Sequence, residues 1–431
     1  MGGVWQKKSY TPLLSLWGDR MIVADANAVA VAGKVYTTVQ GAIDAAAALS
    51  PSASNRVTVG VRPGVYTEVV TLAQYVDVIG WGYVRITTSG NNARAVTLAS
   101  DVEVHNLQAT VTSGDGAGGG IHAFHVDGAL RNVKLVNCHG YVNPACTSCQ
   151  GGLAVKSSGS LTGEIRDCEF SSNNTGMALK VGLTGTANAA VTTTINSLTD
   201  TRLVMLTNEY IGRVVTCNGK TMTVTSNTAT TFTGASWSGG GSPGNGYAWS
   251  LSAAEVLRVW NSIGSARMPL DEDGAAGLIW HGGGGTLEVY GSRLRGEAAN
   301  YSSLLAAGVN ASGLATSGNL ELYDCDIRAV ADSTQVITGL KSIPASGSPV
   351  VKAYGCRISA VCGGAGTASA VYTGGAGTPL VTITGGCVED AAPAGSPYDF
   401  NEGSGTLTSN GVIRTGDLLG TPVITVLGTP W

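Results

Sequence analysis

Three groups of carboxylates are spaced so that two acids could work as a pair. Asp271, Glu272 and Asp273 stand together in PLDEDG, Asp324 and Asp326 flank a cysteine in LYDCDI, and Glu164, Asp167 and Glu169 recur in GEIRDCEF. Glycan cleavage needs two carboxyl groups ~5 to 9 Å apart, and alternate residues on one strand face are ~7 Å apart. Spacing therefore admits a hydrolase- or lyase-type pair at Asp271 and Asp273, which fall in an inter-strand loop, or at Asp324 and Asp326. Any acidic, solvated strand face has the same spacing, and that is the plainer reading of all three groups.

His122 and His125 in GIHAFHV, with His139 and the Cys146/Cys149 pair in NPACTSCQ, bring zinc-ligand types close in sequence. No second CxxC or spaced histidine pair follows, so no metal or other cofactor is expected. His281 precedes the run Gly282 to Gly285 without a strand-turn-helix context, which predicts a flexible turn rather than a phosphate loop.

Such groups need a scaffold, and composition narrows its kind. Charged residues make up 13% of the 431, against a usual share of about 25%, while 62 glycines accompany many Thr, Ser, Val and Ala residues. Turns and strands are expected, not helices or disorder. A net charge of -4 argues against holding nucleic acid by phosphate neutralisation. No stretch of ~18 apolar residues occurs, so no membrane insertion is expected. The opening MGGVWQKKSYTPLLSLWGDRMIV has no apolar run of signal-peptide type. The nine cysteines then read mostly as reduced thiols rather than a disulfide framework.

An internal repeat decides the architecture. It runs aliphatic, polar, aliphatic, any, Asn/Asp/Gly, slot, any, aliphatic, most clearly in VKLVNCHG, LELYDCDI and VKAYGCRI. Successive slot residues are Trp81, Leu107, Cys138, Cys168, Ser262, Ser292, Cys325, Cys356 and Gly386, at steps of 26 to 33 residues apart from one of 94. Alternation of aliphatic and polar residues gives a strand with one buried face. The residue before each slot is of a type that tolerates a turn or left-handed conformation. Stacked coils of this kind form a right-handed parallel β-helix, on the order of 40 Å tall for nine coils. Cys138, Cys168, Cys325 and Cys356 are expected to form an interior structural column, because free cysteine packs as a small hydrophobe. The polar position four before the slot, from Asp77 through Glu103, Lys134, Glu164, Arg258, Glu288, Glu321 and Lys352 to Thr382, is expected to face solvent with mixed signs.

In TVQGAIDAAAA, Val39, Ile43 and Ala46 or Ala47 fall at helical spacing with Thr38 as N-cap, which predicts a short helix closing the first coil. The run VYTTVQGAIDAAAA, followed by VTVGVRPGVYTEVVTL and VDVIGWG, resembles the opening of pectinesterases and of the wider pectin-lyase-like superfamily. The resemblance covers about residues 35 to 85 and is carried by Gln40, Ile43, Asp44, Pro63, Gly64, Tyr66 and Glu68. It implies a right-handed parallel β-helix and places these residues in the cap and first coils. The family's catalytic motifs, of the kinds QD, DFIFG and GRPW, have no counterpart, since the sole Asp-Phe pair is Asp399-Phe400 in an unrelated context.

The 94-residue step exceeds one coil by about sixty residues, which locates an inserted small antiparallel β domain at 190–252 between β-helix parts at 35–189 and 253–431. Within it VVTCNGKTMTV is a hairpin signal, with Asn218-Gly219 at the turn. The Thr-rich insert resembles small modules of phage virion proteins. Residues 1–34, with Trp5 and Trp17, read as an attachment arm, and the tail TPVITVLGTPW as a final strand or subunit contact. Together these features predict a virion protein made in the host cytoplasm, tailspike-like or a capsid decoration. It would dock on other virion proteins through its arm and present a surface to host polysaccharide. Homotrimerisation is implied by the resemblance to tailspike-like β-helices. A polysaccharide-degrading enzyme and a purely architectural virion protein are the alternatives.

Overall fold

The computed structural model describes residues 20–419 except 116–119, 144–149, 157–158, 183, 186–187, 204, 206, 209, 252–254, 269–274, 283, 299–305, 312–317, 332–335, 343, 345–347, 364–366, 375–377, 392–395, 403–405, 411 and 415–417. Trp5, Trp17, Asp271, Asp273, Cys146 and Cys149 lie outside the described residues.

The chain winds into a parallel β-helix of three sheets with thirteen, eleven and eleven strands. Each strand pairs in parallel with its equivalent from the next coil, as in Arg258↔Glu288, Glu288↔Glu321 and Glu321↔Lys352. At ~4.8 Å per step the first sheet is ~58 Å long, beyond the ~40 Å expected from nine repeat copies. The excess comes from strands whose sequences lack the full pattern, such as Met21–Ala24, Val57–Val61 and Thr406–Asn410. The end of the expected arm, Met21–Ala24, thus belongs to the first sheet, where it pairs with Val57–Val61.

The turn after each first-sheet strand follows from backbone chemistry. Asn106, Asn137, Asp167, Asn261 and Asp324 all take φ of 46 to 55°, and Gly291, Gly355 and Gly385 take 54 to 63°. Asn, Asp and Gly occupy this region at least cost. The slot side chains behind them form a hydrogen-bonded ladder. The backbone N–H of Cys138 donates to Cys168 Sγ at 3.3 Å, that of Cys168 to Ser262 Oγ at 3.2 Å, that of Ser262 to Ser292 Oγ at 3.1 Å, and that of Cys325 to Cys356 Sγ at 3.5 Å. Thiol and hydroxyl therefore alternate in one role. Burial pushes the Cys138 thiol up, as the neighbouring Cys356 thiol and burial do for Cys325. Trp81 departs from this column: it is 39% exposed. Its indole lies over Gly60, where an added Cβ would come within 2.2 Å of Trp81 Cζ2. The ring folds back onto the outer face of the first sheet, at a position that lacks a side chain.

The second and third sheets press against each other through a column of small residues. Third-sheet pairing steps over Ala123, Gly152, Gly176, Gly277, Gly308, Gly339 and Ala370 in turn. A Cβ on Gly152, Gly176 or Gly277 would fall 2.6, 2.4 or 2.3 Å from the backbone nitrogens of Ser171, Ser265 and Arg295. Backbone meets backbone there, and only glycine permits it.

Helix Val39–Ala48 covers the first coil, burying Val39, Ala42, Ile43 and Ala46. Thr38 Oγ1 accepts from Gly41 N, and the Glu68 carboxylate accepts from Val39 N and Gln40 N at 2.8 and 2.9 Å. Gln40 also accepts from Thr71 N at 2.7 Å. The residues that carry the pectinesterase resemblance thus fasten the cap. A seven-stranded antiparallel sheet, running in sequence from Thr184–Gly185 to Trp249–Leu251, projects between two coils. Its hairpin turns at Asn218 and Gly219, with φ of 46 and 72°. Its core of Phe232, Trp249, Met222 and neighbours also takes in Ala129 of the β-helix.

Candidate functional site

The inserted sheet and the first sheet of the β-helix enclose a cleft of 780 Å³. Its floor is irregular for a local reason. Strand Ala129–Val136 pairs with Ser160–Arg166 through a register shift between Leu130 and Val133. Asn132 (φ 50°) and Gly163 (φ 131°) absorb the extra residue, and a Cβ on Gly163 would sit 2.0 Å from Val133 O. A bulge bends its strand and re-aims the neighbouring side chains. Here it turns Arg131 and Asn132 into the cleft, where Asn132 Nδ2 donates to Asp101 Oδ1 at 2.8 Å and Arg131 Nε lies 3.5 Å from Asp101 Oδ2.

The walls carry both signs of charge. Glu103, Lys134, Glu164 and Arg258 come from the outward column of the first sheet, while Tyr210 and Arg213 come from the insert. Glu103 lies 3.1 Å from His105 Nε2 and 3.5 Å from Lys134 Nζ. Burial alone would raise its pKa, but the contacts with His105 and Lys134 outweigh that and hold it below the usual range. Glu103 is thus a hydrogen-bond acceptor and not a primed proton donor. Arg258 is held by Glu288 at 2.8 Å.

Trp260 borders the cleft and ends a four-ring stack on the outer face of the first sheet. The ring centroids of Trp260, Tyr290, Tyr323 and Tyr354 follow one another at 4.0, 4.7 and 5.0 Å, with interplanar angles of 10, 7 and 12°. Equivalent positions on parallel strands are one strand spacing apart, so identical aromatics stack by default. Tyr290 and Tyr323 donate their hydroxyls to Glu288 and Glu321 at 3.1 and 2.7 Å. The result is a rigid aromatic strip flanked by acceptors and cations, continuous with a polar cleft.

Of the carboxylates singled out from sequence, Glu164 lines this cleft. Asp167 and Asp324 sit at the left-handed turn positions, with φ of 53 and 51°. Asp326 is exposed at the start of its strand, in register between Arg293 and Arg357. Glu169 faces His139 at 3.6 Å on the second sheet, whereas His122 and His125 belong to the third, so the histidines do not converge. Among the described residues no group of three or more metal-ligand side chains comes together. Gly282 and Gly284 take φ of 72 and 74° in a turn after His281. Sequence reasoning passed over Arg131, Asn132, Arg213 and Trp260. The copies LRVWNS, LEVYGS, LELYDC and VKAYGC do show the aromatic recurring two residues before the slot.

No protein-family model and no curated protein matches the chain. Among solved structures it is similar to a mannuronan C-5 epimerase A-module from Azotobacter vinelandii, at 11% identity over 93% of this chain and 98% of that one, with a TM-score of 0.27. At that score the two backbones do not superpose closely, and the assignment of a β-helix rests on the strand register itself.

Proposed function

We propose that this chain binds a surface glycan in the cleft between its inserted sheet and its first sheet, as a β-helix protein carried on a phage virion. The observation that carries the glycan reading is the meeting, at one bulged floor, of Trp260 with acceptors Glu103 and Glu164 and donors Arg131, Asn132 and Arg213. Sugars present apolar C–H faces to aromatic rings and hydroxyls to just such mixed donors and acceptors. Binding without cleavage is favoured because the cleft carboxylate Glu103 is held ionised by basic neighbours.

The virion setting is supported by an elongated scaffold, a side module, and a tryptophan-bearing segment at 1–19 that would dock on other virion proteins. Assembly as a homotrimer, with the sheets displayed to host polysaccharide, completes the proposal.

The test uses the purified chain against host capsular polysaccharide and lipopolysaccharide, reading both binding and released products. Saturable binding that weakens tenfold or more in Trp260→Ala, with an unchanged melting curve, is the expected result. Absence of binding to every host glycan, or undiminished binding by that variant, would overturn the reading. Oligosaccharide release lost in Asp271→Ala and Asp273→Ala would replace a binder with an enzyme. Mass spectrometry of purified particles tests the virion setting separately.

A further inference from the structure

The coils that floor the cleft continue around a corner into a second recess. Strands Glu103–His105 and Ala129–Val136 of the first sheet lead, across the left-handed turns at Asn106 and Asn137, into Gln108–Val111 and His139–Val142 of the second. At that corner a recess of 270 Å³ opens, with Tyr83, Asn106, Gln108, Asn137 and His139 in its lining. Glu103 borders the cleft and Asn106 the recess, and three residues of extended chain span at most ~11 Å. Lys134 and Asn137 repeat this relation one coil further on. The two openings are therefore neighbours, joined by two coils.

The recess combines an aromatic ring with polar groups that the fold leaves unused. Tyr83 is 58% exposed, the most exposed Phe, Tyr or Trp among the described residues, so core packing does not account for its placement. Arg85 steadies the ring: its guanidinium lies 5.5 Å from the centroid while its Nε donates to Gln108 Oε1 at 3.2 Å. The Gln108 Nε2 donor keeps no protein partner. Asn137 Nδ2 donates to Asn106 Oδ1 at 2.9 Å and Asn106 Nδ2 to Gly80 O at 3.3 Å, which leaves Asn137 Oδ1 as a free acceptor at the end of an amide ladder. An exposed ring beside an amide donor and an amide acceptor matches one sugar unit, with C–H groups against the ring and hydroxyls that both donate and accept. At 270 Å³ the recess falls below the ~300 Å³ at which sites for drug-sized ligands begin, so it takes a single unit and not a longer stretch.

We propose that the recess beside Tyr83 is a second subsite, which takes one sugar unit of the same glycan chain after it leaves the cleft past His105. This inference rests on the glycan reading of the cleft and adds a direction to it: the polymer runs from the insert, over the corner, toward the second sheet. Short fragments fill one opening. Longer ones fill both, because the second contact then forms within the complex at high effective concentration.

The experiment is a length series. Host capsular polysaccharide and the polysaccharide of host lipopolysaccharide are partially hydrolysed and sized, and each fraction is titrated against the full chain and against Tyr83→Ala, Asn137→Gly and Trp260→Ala. Asn137→Gly removes the amide and leaves a residue at ease at φ 50°. Affinity of the unaltered chain is expected to rise with fragment length. Tyr83→Ala and Asn137→Gly are expected to lose that rise, about tenfold on the longest fragments, while binding the shortest as the unaltered chain does. Trp260→Ala is expected to weaken binding at every length. Binding by Tyr83→Ala and Asn137→Gly that equals the unaltered chain at all lengths would overturn the subsite and leave the cleft standing. Fragments that bind Trp260→Ala undiminished but not Tyr83→Ala would overturn the cleft and leave the recess as the glycan site. No binding of any fragment to the unaltered chain would overturn both.

Discussion

His122 and His125, three residues apart on one strand, stack with ring centroids 4.9 Å apart and their Nδ1 atoms 2.8 Å from each other. One imidazole must donate and the other accept, so the pair is stable only while at least one ring is neutral. Arg94, Asp127 and Lys156 face the pair, with Asp127 holding Lys156 at 2.9 Å and His125 Nε2 at 3.7 Å.

This arrangement sets a pH dependence. Burial, then the neighbouring His125 and Arg94, holds His122 down to about 3. Burial, then Arg94, holds His125 down to about 4 against a pull upward from Asp127. Burial beside Lys180 holds His281 to about 4. In the unfolded chain each titrates near ~6.5. Below that pH the unfolded chain takes up protons that the folded one refuses, so the contribution is complete above pH ~6.5 and is lost as pH falls toward 4. For His125, 1% exposed, the loss at pH 5 is about 2 kcal/mol. Melting temperature should fall between pH 6.5 and 4.5, above the range in which depressed carboxylates such as Asp127 titrate. His125→Gln should flatten that slope; a wild-type curve that is already flat would refute it.

Gly277→Ala should destabilise strongly. Its Cβ would stand 2.3 Å from Arg295 N, 2.7 Å from Leu294 C and 2.8 Å from Gly264 O, all backbone atoms that cannot rotate away. Overpacking of this kind costs about 1 to 3 kcal/mol, and urea unfolding would register it as a lower midpoint. An unchanged midpoint would mean that the two sheets can separate locally without cost.

The slot repeat was legible because two independent constraints fall on adjacent residues, a left-handed backbone and a small interior side chain, as in Asn137-Cys138 and Asp324-Cys325. Trp81 obeyed the spacing but not the volume, and only the packed structure reveals that. Gly277, Gly308, Gly339 and Ala370 recur every 31 residues, yet in a chain with 62 glycines such a column does not stand out. The cleft was illegible for a different reason. The repeat already sets Glu103, Lys134, Glu164 and Arg258 in one outward column, but Tyr210 and Arg213 are brought over it by an insert whose docking on Ala129 no local pattern encodes.

Cys168 offers a test of the ladder. Its Sγ accepts from Cys138 N and donates to Arg166 O at 3.2 Å, a role that Ser262 fills identically one coil further on. Cys168→Ser should therefore change stability by no more than about 1 kcal/mol, whereas Cys168→Ala strands the Cys138 N–H and should cost about 1 to 3 kcal/mol. Denaturant titration of both variants decides it, and equal losses would show that the sulfur acts through volume alone.

The bulge beneath the cleft couples fold to binding, and two substitutions separate them. Asn132 at φ 50° can become glycine with little strain, losing chiefly its bond to Asp101. Gly163 cannot accept any side chain, because Val133 O lies where the Cβ would go. Asn132→Gly should keep the melting temperature within a few degrees while weakening glycan binding by about 1 kcal/mol, the worth of one polar contact. Gly163→Ala must straighten or break the bulge, withdrawing Arg131 and Asn132 from the floor, and should abolish glycan binding even where circular dichroism still reports a β-rich fold. Glycan affinity left intact in Gly163→Ala would place the binding surface elsewhere on the rod.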